Sequence, residues 1–180
     1  KALAIDGDNA YAKKGIAWIV FSHEKNPTQA LHILEAVTDV NETPDYHMLK
    51  AEIAAYANEE LKAGMSLDAF YKSVQNVAYG DMYNNHKIKF YLEVTEQYNK
   101  ALTLAEEEVS NRATPESYDL LAYTQLKNGN PTKALDLVLT HVEGKTYEPE
   151  ALYHMAEIYK ANGAKEKVKE LKNLKILEHI

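Results

Sequence analysis

Seven histidines could act as bases or metal ligands: His23, His32, His47, His86, His141, His154 and His179. No His-Glu-x-x-His motif occurs and no two histidines are four residues apart, so a metal site would need ligands from distant segments. Surface or packing roles account for them more simply. The run Glu106-Glu107-Glu108 could supply catalytic carboxylates. Consecutive helical residues point to different sides, however, and a solvated helix face explains the run better. There is no serine elbow and no glycine-rich phosphate loop. With no cysteine in 180 residues, thiolate nucleophiles, disulfides and zinc–thiolate centres are excluded. The expectation is a chain with no catalytic residue, no metal site and no cofactor.

Tyrosine is the other chemically useful residue, with thirteen Tyr against three Phe. Exposed rings could form platforms for sugars, peptides or bases. A formal charge of −7 disfavours nucleic acid, which needs clustered positive charge. The longest apolar run, Ile16 to Phe21, is far short of the roughly 20 residues of a membrane span. Asn41-Glu42-Thr43 fits a glycosylation triplet but is short and followed by Pro44. Lack of cysteine is compatible with either a reducing or an oxidising compartment, so localisation stays open.

The elements that must position these residues are helices. Asn26-Pro27, Thr43-Pro44, Thr114-Pro115 and Asn130-Pro131 each place a capping residue before a proline suited to a first helical turn. Gly64, Gly129 and Gly163 end apolar-periodic stretches, and no segment alternates with period two. The pattern predicts an all-α chain with helices over 9–24, 27–40, 44–63, 66–79, 82–95, 97–111, 115–128, 131–142, 149–162 and 164–178. No glycine or proline separates the fifth from the sixth, so 82–111 can also be read as one helix.

Shifting the C-terminal part by 34 residues lays the pattern on itself. Tyr118, Leu121, Ala122, Gly129 and Ala134 become Leu152, Met155, Ala156, Gly163 and Val168. Large residues fill the space between antiparallel helices, small ones permit close approach, and glycine closes the first helix.

These units resemble tetratricopeptide repeats, the 34-residue helix–turn–helix family. Tyr159 supplies the aromatic of the C-terminal unit, whereas Gln125 stands in that place one unit earlier. Upstream, Tyr11, Tyr46, Tyr83, Tyr118 and Leu152 are spaced by 35, 37, 35 and 34. Gly15-Ile16-Ala17-Trp18 and Lys100-Ala101-Leu102 resemble further parts of the repeat. The resemblance implies an α-solenoid of antiparallel helix pairs in a right-handed superhelix. It has about five repeats in one domain, over 9–40, 44–79, 82–111, 115–142 and 149–178. Residues 1–9 resemble a repeat-to-repeat junction, which leads us to expect a longer natural chain. Tyr11, Tyr46, Tyr83, Tyr118 and Tyr159 fall on packing positions, leaving Tyr123 and Tyr153 as the notable exceptions.

In this family the first helix of each pair lines a groove. Carried onto the two best-matched repeats, those positions are Glu116, Asp119, Tyr123, Leu126 and Lys127, then Glu150, Tyr153, Glu157, Lys160 and Ala161. The resemblance implies a non-enzymatic scaffold that binds a peptide or protein segment on its concave face. Family members that hold acidic chaperone tails use Lys, Arg and Asn there. Asp119 and Glu157 would repel such a tail, so a neutral or basic segment is expected. The alternative is an assembly subunit that joins others through repeat ends or convex faces, for which Leu171, Leu174, Ile176 and Leu177 would be the apolar edge.

Overall fold

A computed structural model describes residues 7–39 and 43–173. All five prolines stand at the first helical turn, where a missing N–H costs nothing. In order the helices are α1 (Ala10–Ser22), α2 (Pro27–Thr38), α3 (Pro44–Tyr56), α4 (Glu60–Ser73), α5 (Asn84–Glu93), α6 (Tyr98–Asn111), α7 (Pro115–Lys127), α8 (Pro131–Leu137), α9 (Pro149–Ala161) and α10 (Lys165–Asn173). A 3₁₀ turn, Val77–Tyr79, follows α4, and a π turn, Val138–Val142, prolongs α8. No strand occurs among the described residues. Asn26 and Thr114 cap their helices by accepting from Gln29 N and Ser117 N. Asn130 does not cap: its amide donates to Gln125 Oε1 instead.

The helices pack as sequential antiparallel pairs, in two compact units divided at Gly80. In the first unit, Ala17 and Val20 of α1 pack with Ala30, Leu31 and Leu34 of α2 and with Leu49, Ile53 and Ala54 of α3. The second unit has two clusters. Ile88, Leu92, Ala101, Ala105, Leu120 and Leu121 hold α5, α6 and α7 together, and Ala122, Ala134, Val138, Leu152, Met155 and Tyr159 hold α7, α8 and α9. Alanines with almost no exposure at the crossings let backbones approach, and each buried large side chain contributes roughly 1.5–3 kcal/mol.

Each helix pair turns through one residue of positive φ: Lys25, Asn58, Glu96, Gly129 and Gly163. Two turn types occur. At Asn58, Gly129 and Gly163 the left-handed residue donates to the carbonyl three back, and the next residue donates five back, as Glu59 N does to Ala54 O. At Lys25 and Glu96 the turn is longer: Glu24 N and Thr95 N reach Ile19 O and Phe90 O, while Asn26 N and Gln97 N reach Val20 O and Tyr91 O. The first unit therefore maps onto the second with a shift of 71 residues, Lys25 to Glu96 and Asn58 to Gly129.

Several expectations change here. Gly64 lies inside α4, and the turn falls six residues earlier at Asn58, a residue type that tolerates the left-handed region. Residues 82–111 form two helices, because Glu96 takes φ 51°. Tyr46, Tyr83 and Tyr159 are buried, but Tyr11 is 81% exposed, since α1 packs through Ala17 and Val20 instead. Glu108 is not solvated with Glu106 and Glu107. It is fully buried on α6, where Oε1 accepts from Arg112 Nε and Nη2 at 2.9 and 2.5 Å. Leu171 packs against the C-terminal cluster, while Leu174, Ile176 and Leu177 lie outside the described residues, as do residues 1–6 and the triplet's Asn41 and Glu42.

Candidate functional site

Helix α7 is the hub of the second unit, packing against α5, α6, α8 and α9 as well as the π turn. That position buries Ser117, Asp119, Thr124 and Gln125 along with its apolar residues. A polar side chain so enclosed needs a partner. Thr124 Oγ1 donates to the Leu120 carbonyl at 2.6 Å, and Gln125 accepts from Asn130. Asp119 finds its partner one repeat away: Oδ2 lies 2.7 Å from His154 Nδ1 on α9, and both side chains are at most 5% exposed. The other oxygen, Oδ1, has no hydrogen-bond partner.

An aromatic stack surrounds this pair. The Tyr123 ring lies face to face on the His154 imidazole, centroids 3.8 Å apart and planes at 14°. Lys127 Nζ sits 5.0 Å from the Tyr123 ring centroid, a cation–π arrangement. Burial pushes the Tyr123 phenol above its usual pKa, and its contact with that phenol raises Lys127. Tyr153 completes the cluster edge-on, 6.5 Å from Tyr123, and is 39% exposed. His154 is too enclosed to act as a base on a substrate. It pins α9 to α7 and fixes the plane of Tyr123.

The groove residues expected from the repeat thus divide. Glu116, Lys127, Glu150, Tyr153 and Lys160 are exposed, and Leu126 and Glu157 are half-buried. Asp119 and Tyr123 are buried, because His154 fills the space in front of them. Asp119 is therefore matched within the protein, and the carboxylates that could meet a ligand are Glu116, Glu150 and Glu157. His154 was missed from the sequence. The available signal was an aspartate at the fifth place of one repeat and a histidine at the sixth place of the next. A second histidine, His141 in the π turn, stacks on Tyr118 at 3.7 Å and 6°.

Beyond this face, a cavity of about 270 Å³ lies among the loop that follows the π turn, α9 and α10, lined by Leu152, Met155, Tyr159 and Leu171. Lys167 also lines it, 2.6 Å from Glu143, and that hydrogen bond holds the Glu143 carboxyl below its usual pKa. Burial, then the Glu143 charge, pushes the Tyr159 phenol up. Among the described residues no three His, Asp or Glu side chains are grouped to hold a metal, and no helix is long and apolar enough to cross a membrane.

Comparison with known proteins agrees with this architecture. Residues 94–170 match the family model described as anaphase-promoting complex, cyclosome, subunit 3, a tetratricopeptide-type repeat family. No curated protein matches the chain significantly. Among solved structures, MamA 41-end from Desulfovibrio magneticus RS-1 superposes with a TM-score of 0.58 at 18% identity, covering 95% of this chain and 97% of that one. The MamA RS-1 ArsTM double mutant gives 0.57 at 19% identity, covering 92% and 96%. At such identities the likeness is one of fold. The repeat match over residues 94–170, the paired helices and the recurrent left-handed turns agree on a tetratricopeptide-like helical-repeat fold.

Proposed function

We propose that this chain is a non-enzymatic interaction scaffold whose second unit binds a peptide or protein segment on the face shared by α7 and α9. The observation that carries the reading is Tyr153. It is an exposed aromatic held edge-on by a buried Asp119–His154–Tyr123 stack, and Glu150, Glu157 and Lys160 lie on the same stripe of α9. A rigid aromatic flanked by charges is the kind of residue that anchors an interface at low entropic cost. Tyr123 supports that ring from beneath and does not itself meet the ligand. Tyr153→Ala is expected to weaken binding of a captured partner about tenfold or more, with the far-ultraviolet circular dichroism unchanged. Equal affinity of wild type and variant would remove this face from the binding reaction.

A second reading, an assembly subunit, is favoured by a different observation in the first unit. Tyr11, Trp18 and Ile19 on α1 and Leu61 and Met65 on α4 are all exposed. Large apolar side chains gathered on one unit suit contact between subunits. Under this reading Trp18→Ser with Ile19→Lys lowers the solution mass measured by light scattering. A mass identical to wild type, whatever its value, counts against assembly through α1.

A further inference from the structure

Lys89 on α5 and Glu150 in the first turn of α9 are 61 positions apart, yet Nζ and Oε2 meet at 2.5 Å. Helix α7 packs against both α5 and α9, so the bridge joins the two helices that flank it. Glu150 shares its stripe of α9 with Tyr153 and Glu157. Lys89 shares its stripe of α5 with Glu93, whose charge is felt by the Tyr123 phenol. The bridge therefore belongs to the same face as the aromatic cluster.

We propose that Glu150 is the centre of a cation subsite that the chain fills with its own Lys89, and that a lysine or arginine of a partner segment takes Lys89's place. This rests on the α7–α9 face being the binding face, and it narrows the partner from neutral or basic to basic.

The bridge is built to exchange. Lys89 retains 33% and Glu150 48% of its side-chain exposure, so water screens the pair and little is lost when it opens. The helices it joins are held by apolar packing against α7, including Ile88, Leu92, Leu120 and Leu121. Two neighbouring cations are engaged elsewhere. Lys127 covers the Tyr123 ring, and Lys160 lies 3.6 Å from Glu157. Once Lys89 leaves, Glu93, Glu116, Glu150 and Glu157 face the incoming segment, with Lys127 and Lys160 already engaged. An acidic segment would be repelled, and a neutral one offers nothing to displace Lys89.

The probe is a fluorescein-labelled hexapeptide alternating lysine and tyrosine, followed by anisotropy at low ionic strength with the whole chain. Lys89→Gln, which vacates the subsite, is expected to tighten binding up to about fivefold. Glu150→Gln should weaken it by a similar factor. Glu166→Gln on α10 controls for general charge. If Lys89→Gln binds no more tightly than wild type, or Glu150→Gln binds like wild type, the subsite is refuted and the bridge is only structural. Tyr153→Ala separates the two readings. Loss of binding there with no effect at Lys89 and Glu150 leaves the face and removes the subsite. Opposite shifts at Lys89 and Glu150 with no effect of Tyr153→Ala keep the subsite and remove the aromatic anchor.

Discussion

The two units use one scheme of helices and turns, yet they differ in where they put polarity. Under the 71-residue shift, Val37 corresponds to Glu108, Ile53 to Thr124, Ala54 to Gln125 and Tyr46 to Ser117, and every member of these pairs is buried. Of the nine buried polar or charged side chains among the described residues, only Ser66 lies in the first unit. The exposed large apolar residues lean the other way, with Tyr11, Trp18, Ile19, Leu61, Met65 and Val77 all before residue 80. A helix pair needs only matched sizes at its crossings, such as Ala30 and Ala101 or Leu49 and Leu120. What the enclosed places hold beyond that is free to vary, provided each polar group finds a partner. The second unit uses that freedom to link α7 to α9 through the buried Asp119–His154 hydrogen bond.

The strongest way to break the comparison is to exchange chemistry between equivalent places. Val37→Glu puts a carboxylate where no described arginine stands ready, and it is expected to cost about 3–5 kcal/mol in urea unfolding. The reciprocal Glu108→Val should stay within about 1 kcal/mol of wild type or be more stable, since an apolar replacement removes the buried charge and its unpaired Oε2 together. Equal losses in both directions would show that the units are not equivalent there.

Next in size is His154→Leu, which leaves Asp119 enclosed with neither oxygen bonded and should cost about 3 kcal/mol. Adding Asp119→Leu should recover most of that, because a paired deletion leaves no orphan. If the double variant is as unstable as the single, the stack with Tyr123 and not the hydrogen bond holds the helices.

The smallest effect concerns the turns. No atom would crowd a Cβ at Gly129, so Gly129→Ala tests φ alone and should cost about 1–2 kcal/mol. Asn58→Gly at the equivalent place should be within about 0.5 kcal/mol of neutral by the same unfolding measurement. A large loss at Asn58 would mean that its side chain does more than tolerate the turn.

These turns also show what could be read in advance. Gly129 and Gly163 announce a left-handed residue, and the helices before them, α7 and α9, end within a residue of their expected bounds. Lys25, Asn58 and Glu96 adopt the same backbone without glycine, held by bonds such as Gln97 N to Tyr91 O. Residue type carries little trace of that, so α4 was expected to begin late and α5 and α6 could be read as one. The candidate face was legible in Glu150, Tyr153 and Lys160, which need only helical periodicity. The burial of Asp119 and Tyr123 depends on His154 arriving from the next repeat, and no local pattern carries that. Glu108 is hidden in the same way within a run of three glutamates.

The π turn has a consequence for how the chain can change length. Glu143 N reaches back five residues to Val138 O, so the segment holds one residue more than an α-helix would, while Leu139 and Thr140 face solvent. In α4, the counterpart helix, losing a residue would rotate everything beyond it by about 100° and turn Phe70 out of the core. Here a one-residue deletion at the surface would tighten the coil to ordinary α geometry and leave the flanking register intact. Loss of a single residue should therefore be tolerated at 138–142, and it is there that one repeat can shorten against the next without dismantling either.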